Sequence, residues 1–256
     1  MKTKIIYEDK ELLVIHKPAG LATQTARIGQ ADVVSELKNY LMSGNKARKD
    51  AYLGVIHRLD QPVEGLLVFA KTKDVAAKLT TQLAKGTLNK QYYAVICGQP
   101  VAEEGELVDY MYKDSNSHAQ MVTGRQDKYS EAKKAVLQYR LVRSASIAEA
   151  AHISNEMTST KEEDNKSTME EISLIDIHID TGRFHQIRAQ MAHAGMALLG
   201  DTKYADEVTI QKSRELGVRN VALCAYKIEF MHPTTNQKHS YTMEPEGKAF
   251  SLFFQP

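Results

Sequence analysis

Two apolar runs on either side of a short charged segment constrain the fold of this chain more than any other feature. The second run, Leu66 to Ala70, contains no polar residue, a pattern typical of a strand that is buried on both faces. The first run, Tyr52 to Ile56, leads directly into His57-Arg58-Leu59-Asp60, and a turn with proline and glycine follows. The pattern predicts a central strand preceded by a loop, with Asp60 at the floor of a cleft.

The remaining apolar pattern indicates a sheet flanked by helices. A hairpin is predicted over 4–7 and 12–16, with further strands over 91–97, 172–180, 221–231 and 238–243 and short β segments over 106–143. Helical spacing predicts helices over 31–42, after Thr72 as N-cap, and from about Arg183 onward. We therefore predict an α+β fold with a mixed, largely antiparallel β-sheet flanked by helices.

Residues 145–170 differ in composition from the rest of the chain. They are polar, acidic and poor in large apolar side chains, which predicts a mobile polar insertion. The whole chain has 256 residues, enough for one large domain or two small ones.

The composition favours a protein of the cytoplasm. No apolar run approaches the roughly 20 residues needed to cross a bilayer, and the first residues lack a signal-peptide core. The two cysteines, Cys97 and Cys224, lie in apolar, strand-like runs, which indicates buried thiols and supports neither a disulfide nor a cysteine metal site. We expect no membrane contact.

The formal charge of +1 is unevenly distributed along the chain. Residues 1–99 hold 15 Lys and Arg against 9 Asp and Glu, residues 100–176 hold 9 against 15, and residues 177–256 hold 9 against 8. Binding of phosphates needs only a local positive surface, which the first and last thirds would provide. A surface of mixed charge without a binding role stays open as the alternative.

The helix predicted from Arg183 has one apolar stripe with a cation in it. A rotation of about 100° per residue puts Phe184, Ile187, Arg188 and Met191 in one arc. Arg188 therefore points inward. Because a buried guanidinium loses its hydration, it needs a carboxylate partner, and Asp60 is the candidate for that partner. The second arc, with Arg183, Gln186, Gln190 and His193, is polar and faces either a binding partner or solvent.

Four side chains raise the question of a metal site: His57, Asp60, His185 and His193. The two histidines of the helix are eight residues apart, about 80° around its axis. This spacing differs from the i, i+4 pair of zinc proteases, and no cysteine supports it. We expect no metal and no other cofactor.

Several segments together resemble the RluA-like family of pseudouridine synthases. Beside His57-Arg58-Leu59-Asp60, the resemblance rests on the segment Thr181 to Arg188. Four further segments follow the family's order and spacing and extend it over nearly the whole chain: residues 6–9 with 14–20, Lys90 to Val95, Gly200 to Tyr204, and Leu223 to Tyr226 before 230–233. The resemblance implies a pseudouridine synthase catalytic domain over residues 1–256, with a central cleft and without an N-terminal RNA-binding module.

The same resemblance implies the catalytic residues. Asp60 is then the catalytic aspartate, which promotes cleavage of the N1–C1′ bond of a uridine before uracil rejoins through C5. Arg188 is the cation paired with it, and Tyr92 packs on the uracil and assists removal of the C5 proton. Attack of Asp60 on C1′, addition to uracil and removal of a ribose proton stay open as mechanisms.

The resemblance also implies a structured RNA, ribosomal or transfer, as the partner of a monomeric enzyme. The target uridine has to leave its stack, and we expect His57 and Arg58 to hold the displaced nucleotide or its phosphates. Arg183 and Ile187 are further candidate contacts. Two alternatives stay open: a catalytically silent RNA-binding or ribosome-assembly protein on the same fold, and a hydrolase with Asp60 as nucleophile.

Overall fold

The predicted apolar segments form strands and helices in the computed structural model, which describes residues 1–25, 29–43, 51–122, 130–147 and 171–254. Eleven strands are present in these ranges: β1 Lys4–Glu8, β2 Leu12–Lys17, β3 Gly54–Val55, β4 Glu64–Ala70, β5 Asn89–Cys97, β6 Glu104–Lys113, β7 Ala119–Met121, β8 Lys133–Ser146, β9 Glu171–Ile179, β10 Leu223–Met231 and β11 Lys238–Thr242. The α-helices there are α1 Val33–Ser43, α2 Lys73–Ala84, α3 Gln186–His193 and α4 Glu207–Glu215.

The chain divides into two compact units. Unit 1 contains residues 1–91 and 224–245, and unit 2 contains residues 92–223 and 246–256. Each unit combines largely antiparallel strands with helices, so the predicted α+β fold with a mixed sheet is confirmed. The single catalytic domain over residues 1–256 stays a prediction.

In unit 1 the strands lie in the order β1-β2-β4-β10, with β3 paired to β4 and β11 to β10. These pairs are antiparallel except for β4 and β10, whose parallel pairing brings Glu64 opposite Cys224. Every residue of β4 is buried, as the uninterrupted apolar run predicts. Its side chains form a core with β2, β10 and α2 that includes Leu12, Leu66, Val68, Val75 and Phe230.

Gly65 of β4 lies opposite Ala225 of β10, with no room for a side chain. Its φ of +135° is a conformation that side chains rarely adopt, and a Cβ atom there would lie 2.5 Å from the backbone nitrogen of Ala225. Glycine at this position therefore allows β10 to pair with β4 immediately after the charged loop.

Helix α2 begins as its sequence predicts. The hydroxyl of Thr72 accepts a hydrogen bond from the Val75 nitrogen at 3.3 Å, and Val75 and Leu79 are buried against the sheet of unit 1. Within the described ranges, none of the helices has the length and apolar character needed to cross a membrane.

In unit 2 the strands lie in the order β5-β9-β8-β6-β7. Strand β8 has 14 residues and pairs antiparallel with both β6 and β9. It extends to Ser146, which pairs with Glu171, so the first two residues of the predicted insertion are part of a strand. From residue 148 to 170 that predicted insertion lies outside the described residues.

The two thiols differ in exposure. Cys224 in unit 1 is buried, as predicted, whereas Cys97 in unit 2 is only half-buried. The partial burial raises the pKa of the Cys97 thiol, which keeps it in the less reactive protonated form.

Candidate active site

The loop between β3 and β4 carries three of the predicted site residues in unit 1. Along the loop the burial alternates: His57 and Leu59 are buried, Arg58 is exposed and Asp60 is half-buried. Arg58 and Asp60 therefore lie on the more accessible side of the loop.

The backbone around Asp60 is held by the segment that follows β2. The Thr23 hydroxyl donates to the Leu59 carbonyl at 2.9 Å and lies 3.2 Å from the Leu59 nitrogen, which donates back to it. On the other side of Asp60, the Gly20 nitrogen donates to the Gln61 carbonyl at 2.8 Å. Hydrogen bonds on both sides therefore hold the backbone at Asp60 in place.

Lys17 is a buried cation beside the same loop. Its ammonium donates to the carbonyl oxygens of Leu21, Pro18 and Gln61 at 2.6, 3.0 and 3.2 Å. Burial lowers the pKa of Lys17 to about 8, and the negative charges of Asp60 and Glu64 partly oppose this shift. No sequence pattern predicts a role for Lys17, yet it is a positive neighbour of Asp60 within unit 1.

His57 lies inside unit 1. Its Nε2 atom accepts a hydrogen bond from the Val68 nitrogen at 3.4 Å, and only 8 % of the residue is exposed. Burial, together with the nearby charge of Lys90, lowers the pKa of His57 well below its usual value, so the ring is neutral. A role for His57 in holding RNA stays a prediction, and its burial does not favour that role.

Arg188 on α3 forms a two-pronged ion pair with Asp201 in unit 2. Its Nε atom lies 2.8 Å from Oδ2 and its Nη2 atom 2.8 Å from Oδ1 of the carboxylate, and both residues are buried. Asp201 also accepts hydrogen bonds from the nitrogens of Lys203 and Tyr204. The inward direction of Arg188 is confirmed, and Asp201 is a carboxylate partner that the sequence analysis missed. The pairing of Arg188 with Asp60 stays a prediction.

Two further predicted residues are buried in unit 2. Tyr92 on β5 is 5 % exposed, whereas the neighbouring Tyr93 points to the other face and packs on Phe254, with 5.3 Å between ring centroids. Ile187 lies beside Arg188 on α3 and is 6 % exposed. Their roles at the uracil stay predictions.

Helix α3 begins later than the sequence predicts. It starts at Gln186, because His185 has a left-handed backbone with φ of +51°. Phe184 therefore precedes the helix and is 38 % exposed, so its predicted place on the buried stripe is wrong. A helical wheel that starts at Arg183 assumes a continuous helix, so it cannot show this change of backbone direction at His185.

The predicted polar arc of this helix is also wrong for its two glutamines, since both are buried. The Gln186 amide donates to the Val136 carbonyl, and its oxygen accepts from the Thr181 hydroxyl and the Arg183 nitrogen. Gln190 donates to the Asp109 carboxylate at 2.7 Å. The side-chain amides of these two glutamines therefore form hydrogen bonds with strands β6 and β8 and with the turn before α3.

Arg183 and His193 keep accessible positions at the two ends of α3. His193 is exposed. The half-buried Arg183 donates through Nε to the Lys134 carbonyl at 2.9 Å, which holds the stem of its side chain against β8. Contact of Arg183 with RNA stays a prediction.

The loop of unit 1 has the chemistry of an anionic catalyst. A carboxylate on a fixed backbone, with an ammonium nearby, can act as a nucleophile or as a base. As for metal ligation, the described residues contain no group of three or more His, Cys, Asp or Glu side chains arranged to hold an ion.

Comparison with known proteins agrees with these features. A family model described as RNA pseudouridylate synthase matches residues 11–193, a range that contains Asp60, Tyr92 and Arg188. The tRNA pseudouridine synthase C of Haemophilus ducreyi is 29% identical over 242 residues, which cover 93% of this chain and 89% of that protein. The ribosomal large subunit pseudouridine synthase D of Zymomonas mobilis is 27% identical over 245 residues, covering 94% of this chain and 68% of that one.

Solved structures support the fold. The human RNA pseudouridylate synthase domain containing 4 aligns with a TM-score of 0.69 at 22% identity, covering 97% of this chain and 91% of that one. Human RNA pseudouridylate synthase domain containing 1 aligns with a TM-score of 0.67 at 16% identity, covering 95% of this chain and 83% of that one. The motifs, the α+β fold and the matched residues lead to one conclusion: this chain belongs to the RNA pseudouridylate synthases, as a member of the RluA-like family of RNA-modifying isomerases.

Proposed function

We propose that this isomerase converts uridines of transfer or ribosomal RNA to pseudouridine with Asp60 as its catalytic carboxylate. The assignment of Asp60 is supported most directly by the hydrogen bonds on either side of it. Thr23 donates to the Leu59 carbonyl, and the Gly20 nitrogen donates to the Gln61 carbonyl. Such anchors hold a reacting group in position, which lowers the cost of reaching the transition state. The two RNA classes come from the names of the relatives.

The proposed reaction breaks the N1–C1′ bond and forms a C5–C1′ bond, and the proton at C5 moves to solvent while N1 gains one. No group is added or lost. Asp60 acts as an anion in each of the three routes, whether it attacks C1′, adds to uracil or removes a ribose proton. The charge of Asp60 attracts that of the buried Lys17. Tyr92 and Arg188 complete the proposed catalytic set.

The loss of the C5 hydrogen supplies a direct assay. RNA labelled with tritium at uracil C5 releases the label to water only when the new bond replaces the old hydrogen. We expect the wild-type protein to release tritium from unmodified transfer or ribosomal RNA, assayed in separate tubes. The Asp60→Asn variant, with a neutral group of the same shape, should release none.

A matched control tests whether the loss of any carboxylate charge in unit 1, away from Asp60, also abolishes tritium release. The Asp74→Asn variant removes a carboxylate from α2 in the same unit, where the side chain is 72% exposed and pairs with Lys78. This variant should release tritium like the wild type. RNA retained on filters without tritium release by the wild-type protein would instead favour an RNA-binding role without isomerisation.

We further propose that the enzyme acts as a monomer in the cytoplasm, where its proposed substrates are found. Sedimentation at increasing protein concentration tests the oligomeric state, and a dimer at micromolar concentration would contradict the proposal.

A further inference from the structure

A pair of stacked rings, the exposed Phe184 and the half-buried His185, precedes helix α3 in unit 2. The rings of Phe184 and His185 have centroids 3.7 Å apart and planes inclined by only 19°. The ammonium of Lys113 lies 4.7 Å from the centroid of the Phe184 ring. We call Phe184, His185 and Lys113 the aromatic platform.

The structure holds the lower ring of this platform in place. His185 has a left-handed φ of +51°, which is uncommon for a residue with a side chain. Its Nδ1 atom lies 2.8 Å from the hydroxyl of Tyr204, and that hydroxyl accepts a hydrogen bond from the Ala119 nitrogen at 2.8 Å. The ring under Phe184 is therefore fixed to both β7 and the segment after α3.

A further cationic residue lies on the same face of the sheet as Lys113. Lys133 is exposed at the start of β8 and pairs with Met111 of β6, the strand that ends at Lys113. Arg183 precedes Phe184 in the chain and donates to the Lys134 carbonyl. The nearest carboxylate in sequence, Asp114, is engaged by the His118 nitrogen and the Gln120 amide. Phosphate groups beside the ring would meet positive charge.

We propose that the aromatic platform binds an unpaired base of the RNA substrate, which stacks on Phe184. This inference rests on the proposed function, since it assumes that the substrate is RNA. A single exposed phenylalanine is ordinary on a protein surface. A ring that a second ring supports, next to a cation, offers a surface on which a base of single-stranded nucleic acid can stack, because every base has a face that stacks on an aromatic ring.

Lys113 has a part in this binding. An exposed contact between a cation and a phenyl ring is weaker than the stacking of a base on that ring, so a base displaces the ammonium from the ring face. The four-carbon stem of Lys113 allows the displaced ammonium to move to a phosphate of the same nucleotide. The side chain thus covers the ring without RNA and binds the backbone with RNA.

The absence of tryptophan from the chain makes the platform directly observable. In the Phe184→Trp variant the single tryptophan reports on stacking, because a base in contact with the indole quenches its fluorescence. The control is Val208→Trp on α4 in the same unit, at a position that is 46% exposed and follows the acidic Asp206 and Glu207. Each variant is titrated with the unmodified transfer or ribosomal RNA that releases tritium with the wild type.

We expect RNA to quench the tryptophan at position 184 and to leave the tryptophan at position 208 unchanged. RNA that is retained on filters and converted normally, without quenching at position 184, would overturn the platform and leave the proposed function intact. RNA that is neither retained nor converted by the wild-type protein would overturn both.

A second set of variants tests whether RNA binding needs the aromatic ring of Phe184 or only an apolar side chain at this position. Phe184→Leu keeps an apolar side chain without a ring and should weaken RNA binding about 10-fold, while Phe184→Tyr should bind like the wild type. At saturating RNA the rate of tritium release should be the same for all three proteins, so the effect appears in KM and not in kcat. Lys113→Gln should lower the slope of log Kd against log salt by about one. Equal binding by the leucine variant would refute the proposal.

Discussion

Arg188 and Asp201 form a buried ion pair in which two nitrogens of the guanidinium meet two oxygens of the carboxylate, each at 2.8 Å. The side chains are only 6% and 1% exposed, so neither charge is solvated by water. The pair holds α3 to the turn that follows it in unit 2. Its members are 13 residues apart.

Removal of one charge from this pair should strongly destabilise the protein. The Asp201→Asn substitution removes the carboxylate that two nitrogens of the buried guanidinium bind, and we expect the free energy of unfolding in urea to fall by about 3–5 kcal/mol. The control is Asp74→Asn, which breaks the exposed pair with Lys78 and should cost at most about 1 kcal/mol. Similar losses in both variants would contradict a special role for the buried pair.

The buried ammonium of Lys17 predicts a distinctive dependence of stability on pH. Its pKa is lowered from 10.5 to about 8 in the folded protein, so burial of the charged amine costs about 3 kcal/mol below pH 8. Between pH 8 and 10.5 the unfolded chain still binds this proton while the folded protein has released it. Relative to the Lys17→Met variant, the free energy of unfolding of the wild type should therefore rise by about 3 kcal/mol between pH 8 and 10.5.

Urea unfolding of both proteins at intervals from pH 7 to 10.5 measures this difference, and other titrating groups cancel in it. The Lys85→Met variant, which removes an amine from the exposed end of α2, is the control for loss of a charge at the surface. A difference between wild type and Lys17→Met that stays constant with pH would show that the amine keeps its charge when buried.

The hydroxyl of Thr23 should matter for both stability and activity. Thr23→Val preserves shape but removes the group that donates to the Leu59 carbonyl and accepts from its nitrogen. Two buried backbone groups then lack a partner, which should cost about 1–3 kcal/mol of stability. Because Leu59 precedes Asp60, we also expect a slower rate of tritium release at saturating RNA.

The matched substitution is Thr81→Val on α2, whose exposed hydroxyl donates only to the Ala77 carbonyl of its own helix. It should change neither the rate nor the stability by a comparable amount. A Thr23→Val variant with wild-type activity would argue against the importance of the anchored backbone for Asp60.

Local patterns predict the parts of this fold whose partners are close in the chain. The uninterrupted apolar run of β4 is buried as expected, and Thr72 caps α2 through the nitrogen three residues later. In each case the physical cause lies within one element.

The missed features depend on partners elsewhere in the chain. Gln186 and Gln190 are polar and therefore predicted at the surface, yet in the interior their side-chain nitrogens donate hydrogen bonds to backbone carbonyls of β6 and β8. Asp201 becomes the partner of Arg188 only when the chain turns back after α3. The left-handed backbone of His185 has no signature in the apolar pattern, and it decides that Phe184 is exposed.

Gly65 should be the least replaceable glycine of the loop region. An alanine there combines a φ of +135° with a Cβ atom 2.5 Å from the Ala225 nitrogen, so either the backbone of Gly65 or β10 must move. We expect Gly65→Ala to lower the free energy of unfolding by about 3 kcal/mol or more, and tritium release to fall because Gly65 is close in sequence to Asp60.

Gly86 offers the matched control for backbone strain alone. It has a φ of +69° after α2, but a Cβ atom there would meet nothing within 4 Å. Gly86→Ala should therefore cost only about 1–2 kcal/mol and leave tritium release unchanged. If the two variants lost the same stability, the close approach of β4 and β10 would not be what requires glycine at position 65.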